Sequence, residues 1–196
     1  MKSAHITRGL SKKKRNMKRP IIIYGVIAGA IVSGMMLITM PMYNAGSLDH
    51  SNGELTGYST MVIALSVIFF AIKSYRDKQP GGSITFWKGV QIGLLVTAIA
   101  AVMYAATWEY LYADFGEEFM QKFTEEYVNN LRADGLSDAD IQKEREDMAG
   151  MMEMYKNPLV RFPMTIIEIL PVGVIITLIC AALLRKKEFL PATEPA

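Results

Sequence analysis

The chain has 196 residues, a formal net charge of +2 and a hydrophobic fraction of 51%, and its apolar residues are concentrated in four long blocks. This distribution excludes a soluble globular enzyme and a disordered chain. The single cysteine, Cys180, also excludes an intramolecular disulfide. We therefore predict an all-α membrane protein.

The first sixteen residues are basic and lack an apolar period, which predicts a disordered N-terminal tail and makes Met17 a candidate original start. Residues 17–187 are predicted to form the membrane domain, and residues 188–196 a C-terminal tail. Lysines beside the cytoplasmic end of a membrane helix are explained by the topology rule and by anionic lipids. We therefore predict the lipid bilayer as a partner and no nucleic acid.

Four segments are long and apolar enough to span a membrane as helices. They are predicted at residues 21–42, 55–72, 86–112 and 162–184. A weak signal-peptide pattern occurs at Ala28-Gly29-Ala30, but the apolar stretch continues to Met42. We therefore expect the first span to be retained as an anchor.

Small residues in the first span are spaced for close helix packing. Gly25, Gly29 and Ser33 recur at intervals of four, and Gly34 lies beside them. The partner is either another helix of the same chain, which we favour, or a second copy. A homo-oligomer or a membrane-protein partner therefore remains open.

The charge distribution predicts the orientation. Eight Lys and Arg residues precede the first span, whereas the segment 114–153 carries 12 acidic residues. We predict a bacterial inner-membrane protein with both termini in the cytoplasm. Trp87 and Trp108 lie about 31 Å apart along a helix, close to the thickness of the hydrocarbon core. Trp87, Trp108, Tyr110 and Tyr112 are therefore predicted to be interface anchors.

Residues 114–157 are predicted to form an extramembrane helical hairpin between spans three and four. Aromatic and aliphatic residues recur every four positions from Phe115 to Leu131, Asp134-Gly135 provides a turn, and Ser137 can cap a second helix. We expect the two apolar stripes to pack on each other. The alternative is an acidic surface that recognises a basic partner or a divalent cation.

Glu168 is the sharpest intramembrane signal because it is the one charge in the fourth span. Pro171 cannot donate a hydrogen bond to the carbonyl of Ile167, which leaves a free backbone oxygen near the carboxyl group. Either a proton or a small cation binds there, or a protonated Glu168 joins helices through a hydrogen bond to Thr165, Tyr104 or Thr107. Glu109 is expected to be a solvated interfacial acid.

No catalytic residues, cofactor or metal site are predicted. The sequence lacks the nucleotide-binding, hydrolase and metalloprotease patterns. The 14 methionines include two clusters, around Met35–Met42 and Met148–Met154. Thioethers suit Cu(I), but Met is also a flexible core residue, and we favour the second role.

Four segments carry a family resemblance: Met17-Lys-Arg-Pro-Ile-Ile-Ile-Tyr-Gly, Asn52-Gly-Glu-Leu-Thr-Gly-Tyr-Ser-Thr-Met, Phe70-Ala-Ile-Lys-Ser-Tyr-Arg-Asp-Lys and Gly81-Gly-Ser-Ile-Thr-Phe-Trp-Lys-Gly. Over residues 17–187 the chain resembles the bacterial membrane family catalogued as domain of unknown function 4199. The resemblance implies a small multi-pass inner-membrane protein and no particular activity. We predict a non-enzymatic accessory, regulatory or interaction subunit. The alternative is a small proton- or cation-coupled transporter that acts as an oligomer, with Glu168 at its site.

Overall fold

The computed structural model describes residues 17–47, 50–186 and 189–190, with the side chains of residues 44 and 50–54 left out. These parts of the chain form α-helices and one short 3-10 turn, without a strand. The predicted tail 1–16, His5 and most of the tail 188–196 lie outside the described residues. The helices are α1 (Lys18–Asn44), α2 (His50–Leu65), α3 (Val67–Arg76), α4 (Phe86–Ala133), α5 (Asp138–Tyr155) and α6 (Pro158–Leu184), with the 3-10 turn at Pro80–Gly82.

The helices form a bundle in which α4 is central, with its most extensive contacts to α1 and α6. α1 and α4 run parallel, whereas α4 and α6 run antiparallel. The beginning of α1, the turn between α3 and α4 and the end of α6 therefore lie at one end of the bundle, which we call the proximal end. The opposite end, which carries α5, is the distal end. The proximal half has a continuous core with Leu65, Ile68 and Ile92 fully buried.

Four candidate membrane spans occur among the described residues: Lys18–Tyr43, Leu55–Arg76, Phe86–Ala133 and Pro158–Leu184. The prediction of four apolar membrane-spanning helices is thus confirmed. The second span differs in detail because it is divided at Ser66 into α2 and α3. The Ser66 hydroxyl donates to the carbonyl of Val62 at 2.7 Å, and Phe69 N donates to Ser66 O, an i+3 bond that tightens the helix there.

The packing of α4 on α6 relies on small residues spaced by four, which bring the two backbones close together. A Cβ added at Gly93 would lie 2.5 Å from the Thr177 side chain, so glycine is required for this approach. The facing positions of this antiparallel seam are Gly89 with Ala181, Gly93 with Thr177, and Thr97 with Gly173. Ala101 and Ala105, which continue the four-residue spacing along α4, are also buried.

The predicted packing residues of α1 divide into two groups. Gly25 and Gly29 face α4, where an added Cβ would lie 2.8 Å from Cβ of Ile99 and 2.5 Å from the sulfur of Met103, respectively. Ser33 is buried, and its hydroxyl has no hydrogen-bond partner among the described residues. Gly34 has nothing within 4 Å of an added Cβ, so it makes no close helix contact in this chain.

The distal segment, residues 114–157, comprises the second half of α4, a tight turn and α5. Gly135 adopts φ +82° in the turn, a conformation that glycine tolerates without strain. The Ser137 hydroxyl accepts from Asp140 N at 3.2 Å and thereby caps α5.

The expected stripe-on-stripe packing of the distal segment occurs only in part. Its buried side chains are Val128, Ile141 and Met148, whereas Tyr127, a member of the predicted stripe, is 37% exposed. Phe119 meets the ring of Tyr43, on α1, edge-on at 6.0 Å. The stripe changes partner along its length because α4 passes from the bundle, where α1 is its neighbour, to a region where α5 is.

Candidate functional site

A cavity of about 500 Å³ occupies the distal half of the bundle, between α1, α2, α4, α5 and α6. We call it the distal cavity. Its wall is mostly aromatic rings, methionines and threonines, and the lining residues within the described part of the chain include Glu168 but no Lys, Arg or His. Three of its lining residues, Val32, Met61 and Thr165, are only 2%, 3% and 4% exposed and mark its inner part. Below them begins the proximal core.

Glu168, on α6, lines this cavity and is exposed rather than sealed between helices. The Tyr104 hydroxyl of α4 donates to Glu168 Oε1 at 3.3 Å. Of the three hydrogen-bond partners predicted for Glu168, the structure selects Tyr104. The hydroxyls of Thr165 and Thr107 instead donate to carbonyls of their own helices. Pro171 lies inside α6 but does not line the cavity.

The predicted interface anchors differ from one another in their surroundings. Trp87 and Tyr110 are 72% and 69% exposed, as lipid- or water-facing rings should be. Trp108 is only 6% exposed, and its Nε1 donates to the hydroxyl of Tyr155 at 2.8 Å. Trp108 is therefore a wall of the cavity rather than a headgroup anchor. The ring of Tyr112 is turned toward α6.

Arg161 connects three helices at the distal end and is 5% exposed. Its guanidinium forms a two-pronged ion pair with Glu109, with Nε 3.0 Å from Oε1. It also donates to the carbonyls of Tyr155 and Lys156, which end α5, and it lies 3.6 Å above the centre of the Tyr112 ring. Glu109, which the sequence predicts to be a solvated or interfacial acid, is thus 23% exposed and held in an ion pair. Arg161 is committed to Glu109, and no cation among the described residues pairs with Glu168.

The two methionine clusters, which are distant in sequence, meet at the distal cavity. Eight of the 14 methionines line it. They are Met35, Met36, Met40, Met61, Met120, Met151, Met152 and Met164. Among the described residues, no group of three or more His, Cys, Asp or Glu side chains is arranged to hold a metal ion.

A second buried arginine lies at the proximal end. Arg76 is fully buried, donates from Nε to Asp77 at 2.9 Å and from Nη1 to the carbonyl of Phe189 at 2.8 Å, and also bonds the carbonyl of Leu190. The Phe189 ring contacts Phe69 edge-on. Arg76 therefore ties the described end of the chain to the α3–α4 turn.

Sequence reasoning missed the partners of these two arginines and the small-residue face of α4. The α4 face was detectable, because Gly89, Gly93, Thr97 and Ala101 follow the same four-residue spacing that singled out α1. The arginines were not, because Lys and Arg at span ends are expected in every membrane protein. Nothing in the spacing of the methionines indicates that they share one cavity.

Residues 23–186 match the family described as Protein of unknown function (DUF4199), and the chain belongs to that family. The resemblance found in the sequence is thereby confirmed. No curated protein and no solved structure matches the chain.

Proposed function

We propose that the protein is a non-enzymatic subunit of the bacterial inner membrane that binds a ligand in its distal cavity. The observation that carries this proposal is the form of the cavity. Its volume of about 500 Å³ lies within the range of small-molecule sites, and its described lining holds one carboxyl group and no Lys, His or Cys. Such a lining can bind a ligand, and we assign the Tyr104–Glu168 hydrogen bond to ligand binding rather than to catalysis.

The packing of the bundle favours a receptor over a continuous transport pathway. The proximal half is filled by side chains with zero exposure, among them Ala64, Leu65, Val96 and Ala100. A ligand in the distal cavity would therefore need a rearrangement of this core to leave at the proximal end. We infer that binding is reported to a partner through the distal segment, whose surface is acidic.

The orientation in this proposal places the distal end outside the cytoplasm. Lys18, Arg19, Lys78 and Arg185 lie at the proximal end, which fits the cytoplasmic face. At 48 residues α4 is about 72 Å long, more than twice the hydrocarbon thickness of about 30 Å. Its second half therefore extends beyond the bilayer.

The proposal is tested by single-cysteine labelling in a Cys180→Ala background. An impermeant maleimide should label Asp134→Cys and the cavity position Thr60→Cys from the external side of intact spheroplasts. Lys78→Cys, at the proximal end, is the matched control and should react only after the membrane is permeabilised. Reaction of Thr60→Cys from both sides would contradict the receptor proposal.

A transporter is the second candidate, and the exposure of Glu168 in the cavity favours it. The two candidates differ in flux. For the receptor, proteoliposomes with the wild-type chain should carry no more proton or sodium flux than those with Glu168→Gln. If the wild-type chain carries flux and Glu168→Gln abolishes it, the protein is a transporter and the receptor proposal is wrong.

A further inference from the structure

We propose that the distal cavity is selective for a lipophilic organic cation, such as a hydrophobic amine or a quaternary ammonium compound. This inference rests on the proposed ligand-binding function and names the class of ligand. It is carried by the charge, the aromatic lining and the size of the cavity.

The charge argument begins with Glu168. Among the lining residues that the structure describes, it is the only one with a carboxyl group, and none of them carries a positive charge. The nearest buried cation on the same helix, Arg161, is saturated by Glu109 and two backbone carbonyls. A carboxylate in a largely apolar site is stabilised strongly by an opposite charge, so a cationic ligand supplies what the chain itself does not.

The wall around Glu168 suits a cation with an apolar body. Cations are attracted to the faces of Trp and Tyr rings, and more strongly where water is excluded. Trp108 Nε1 donates a hydrogen bond to the hydroxyl of Tyr155, and this bond fixes both rings in the cavity wall. The aromatic residues of the lining are Tyr43, Tyr58, Tyr104, Trp108, Phe119, Phe123 and Tyr155.

The volume argues for an organic molecule rather than a bare ion. A water molecule occupies about 30 Å³ in the liquid, so the cavity of about 500 Å³ is far larger than a site for a single ion. Methionine side chains are flexible and polarizable, and they adapt to ligands of differing shape. The eight methionines of the lining therefore favour a class of hydrophobic cations over one rigid substrate.

The cavity also has an exposed rim through which an amphiphile can enter. Tyr58 of α2, Met151 of α5 and Met164 of α6 line it and are 51%, 47% and 40% exposed. Below the rim, Met61 and Thr165 are 3% and 4% exposed. A ligand can thus place its charged group at Glu168 and its apolar groups among the methionines.

The chain offers its own fluorescent reporter. It has two tryptophans, and Trp87 stands exposed at the beginning of α4, away from the cavity. Trp87→Phe leaves Trp108 as the single tryptophan, in the cavity wall. The full chain, purified in a non-ionic detergent, is titrated with tetraphenylphosphonium and with tetraphenylborate, which has nearly the same shape and the opposite charge.

We expect saturable quenching of Trp108 by tetraphenylphosphonium and at least tenfold weaker binding of tetraphenylborate. Glu168→Gln, which keeps the shape of the side chain, should weaken phosphonium binding by about tenfold or more. Glu153→Gln removes one charge from the exposed face of α5 and should leave the affinity unchanged. Tyr104→Phe keeps the carboxylate and should also bind the phosphonium ion. Thermal unfolding of each variant shows whether it is folded.

Four outcomes would overturn the inference. Equal binding of both probes, or full affinity in a folded Glu168→Gln variant, would leave a ligand cavity without cation selectivity, and the proposed function would stand. Saturable quenching by Ag(I) in a Cys180→Ala background, with no response to the phosphonium ion, would assign the thioethers to a soft metal. If no probe quenches Trp108, the cavity does not bind an organic cation. The cysteine labelling tests the proposed function separately.

Discussion

At the scale of single residues, the distal end depends on Arg161. Its guanidinium forms an ion pair with Glu109 and donates hydrogen bonds to the two carbonyls at the end of α5. It also lies over the ring of Tyr112. Gly116 allows this stack, because an added Cβ would collide with the Tyr112 ring. The α5–α6 turn is thus fixed to α4 by a group that lysine cannot replace, since an ammonium has no planar fork.

Removing either partner of this ion pair should destabilise the fold strongly. Arg161→Met leaves the Glu109 carboxylate, 23% exposed, without its cation, and Glu109→Gln leaves the buried guanidinium without its anion. Each change should cost about 3 kcal/mol in the free energy of unfolding, and Arg161→Lys should cost less than Arg161→Met. The measurement is unfolding in detergent by circular dichroism.

A double-mutant cycle provides the check on this prediction. Glu109→Gln combined with Arg161→Met should cost clearly less than the sum of the single changes, because neither charge is then left alone. The pair Glu153 and Lys156 is the control, since both side chains are well exposed. Its variants should leave the unfolding midpoint unchanged. If the unfolding free-energy costs of the two single changes simply add in the double mutant, Glu109 and Arg161 are not energetically coupled.

At the scale of the helices, backbone proximity determines which pairs pack. The α4–α6 seam has a glycine or alanine opposite a threonine or alanine at successive turns. Thr97 is fully buried and donates to the carbonyl of Gly93 at 3.0 Å, so it cannot move away from Gly173. The seam is consequently rigid as well as close.

Gly173→Ala should therefore destabilise the bundle by about 1–3 kcal/mol, the usual cost of overpacking a core. Gly150→Ala is the matched control on α5, because nothing lies within 4 Å of its added Cβ. Alanine favours a helix interior over glycine, so this control should be neutral or stabilising by about 0.5–1 kcal/mol. Equal stability of Gly173→Ala and wild type in a thermal melt would show that the seam relaxes.

The α1 glycines should rank according to what each would meet. Gly25→Ala meets Cβ of Ile99, which is fixed to the backbone, whereas Gly29→Ala chiefly meets the flexible end of Met103. Gly34→Ala meets nothing and is the control. The loss of thermal stability should be greatest for Gly25→Ala, smaller for Gly29→Ala and absent for Gly34→Ala. A loss at Gly34 would indicate a contact with a second copy of the chain.

At the scale of the whole molecule, the two ends are stabilised by different means. The distal end contains the cavity, and α5 forms part of its wall. The proximal end has a packed core, and Arg76 there donates hydrogen bonds to the carbonyls of Phe189 and Leu190. Asp77 orients Arg76 and accepts from Lys73 as well. Burial raises the pKa of Asp77, but the hydrogen bonds from Lys73 and Arg76 outweigh it and hold the pKa below its usual value.

This shift predicts a pH dependence. A carboxyl group whose pKa is lowered by folding stabilises the protein above its unfolded pKa of about 3.9, and the contribution disappears as the pH falls through the folded value. Asp77→Asn should therefore unfold at a lower temperature than wild type at neutral pH. The two melting temperatures should converge below about pH 4. A difference that persists in acid would assign the effect of Asp77 to shape rather than charge.

The sequence by itself determined the four membrane spans, the turn at Gly135, the cap at Ser137 and the family, because each depends on local apolar length, local turn chemistry or a linear motif. It also identified Glu168 and proposed Tyr104 among its partners. It missed the break at Ser66, since apolar length alone does not reveal a local change in helix hydrogen bonding. It assigned Trp108 to the wrong surroundings, because an aromatic residue near a span end has the same pattern whether it faces lipid or α5.

Only the tertiary structure decided that eight methionines share one cavity and that Arg161 pairs with Glu109 rather than Glu168. These relations join residues that are tens of positions apart in the chain. They depend on the register of α4 against α6, which the Gly and Thr contacts of the seam fix. A shift of one turn in that register would move Arg161 and Glu168 to new neighbours with no change in sequence pattern. The distal cavity is therefore a property of helix packing, while the helices themselves are properties of the sequence.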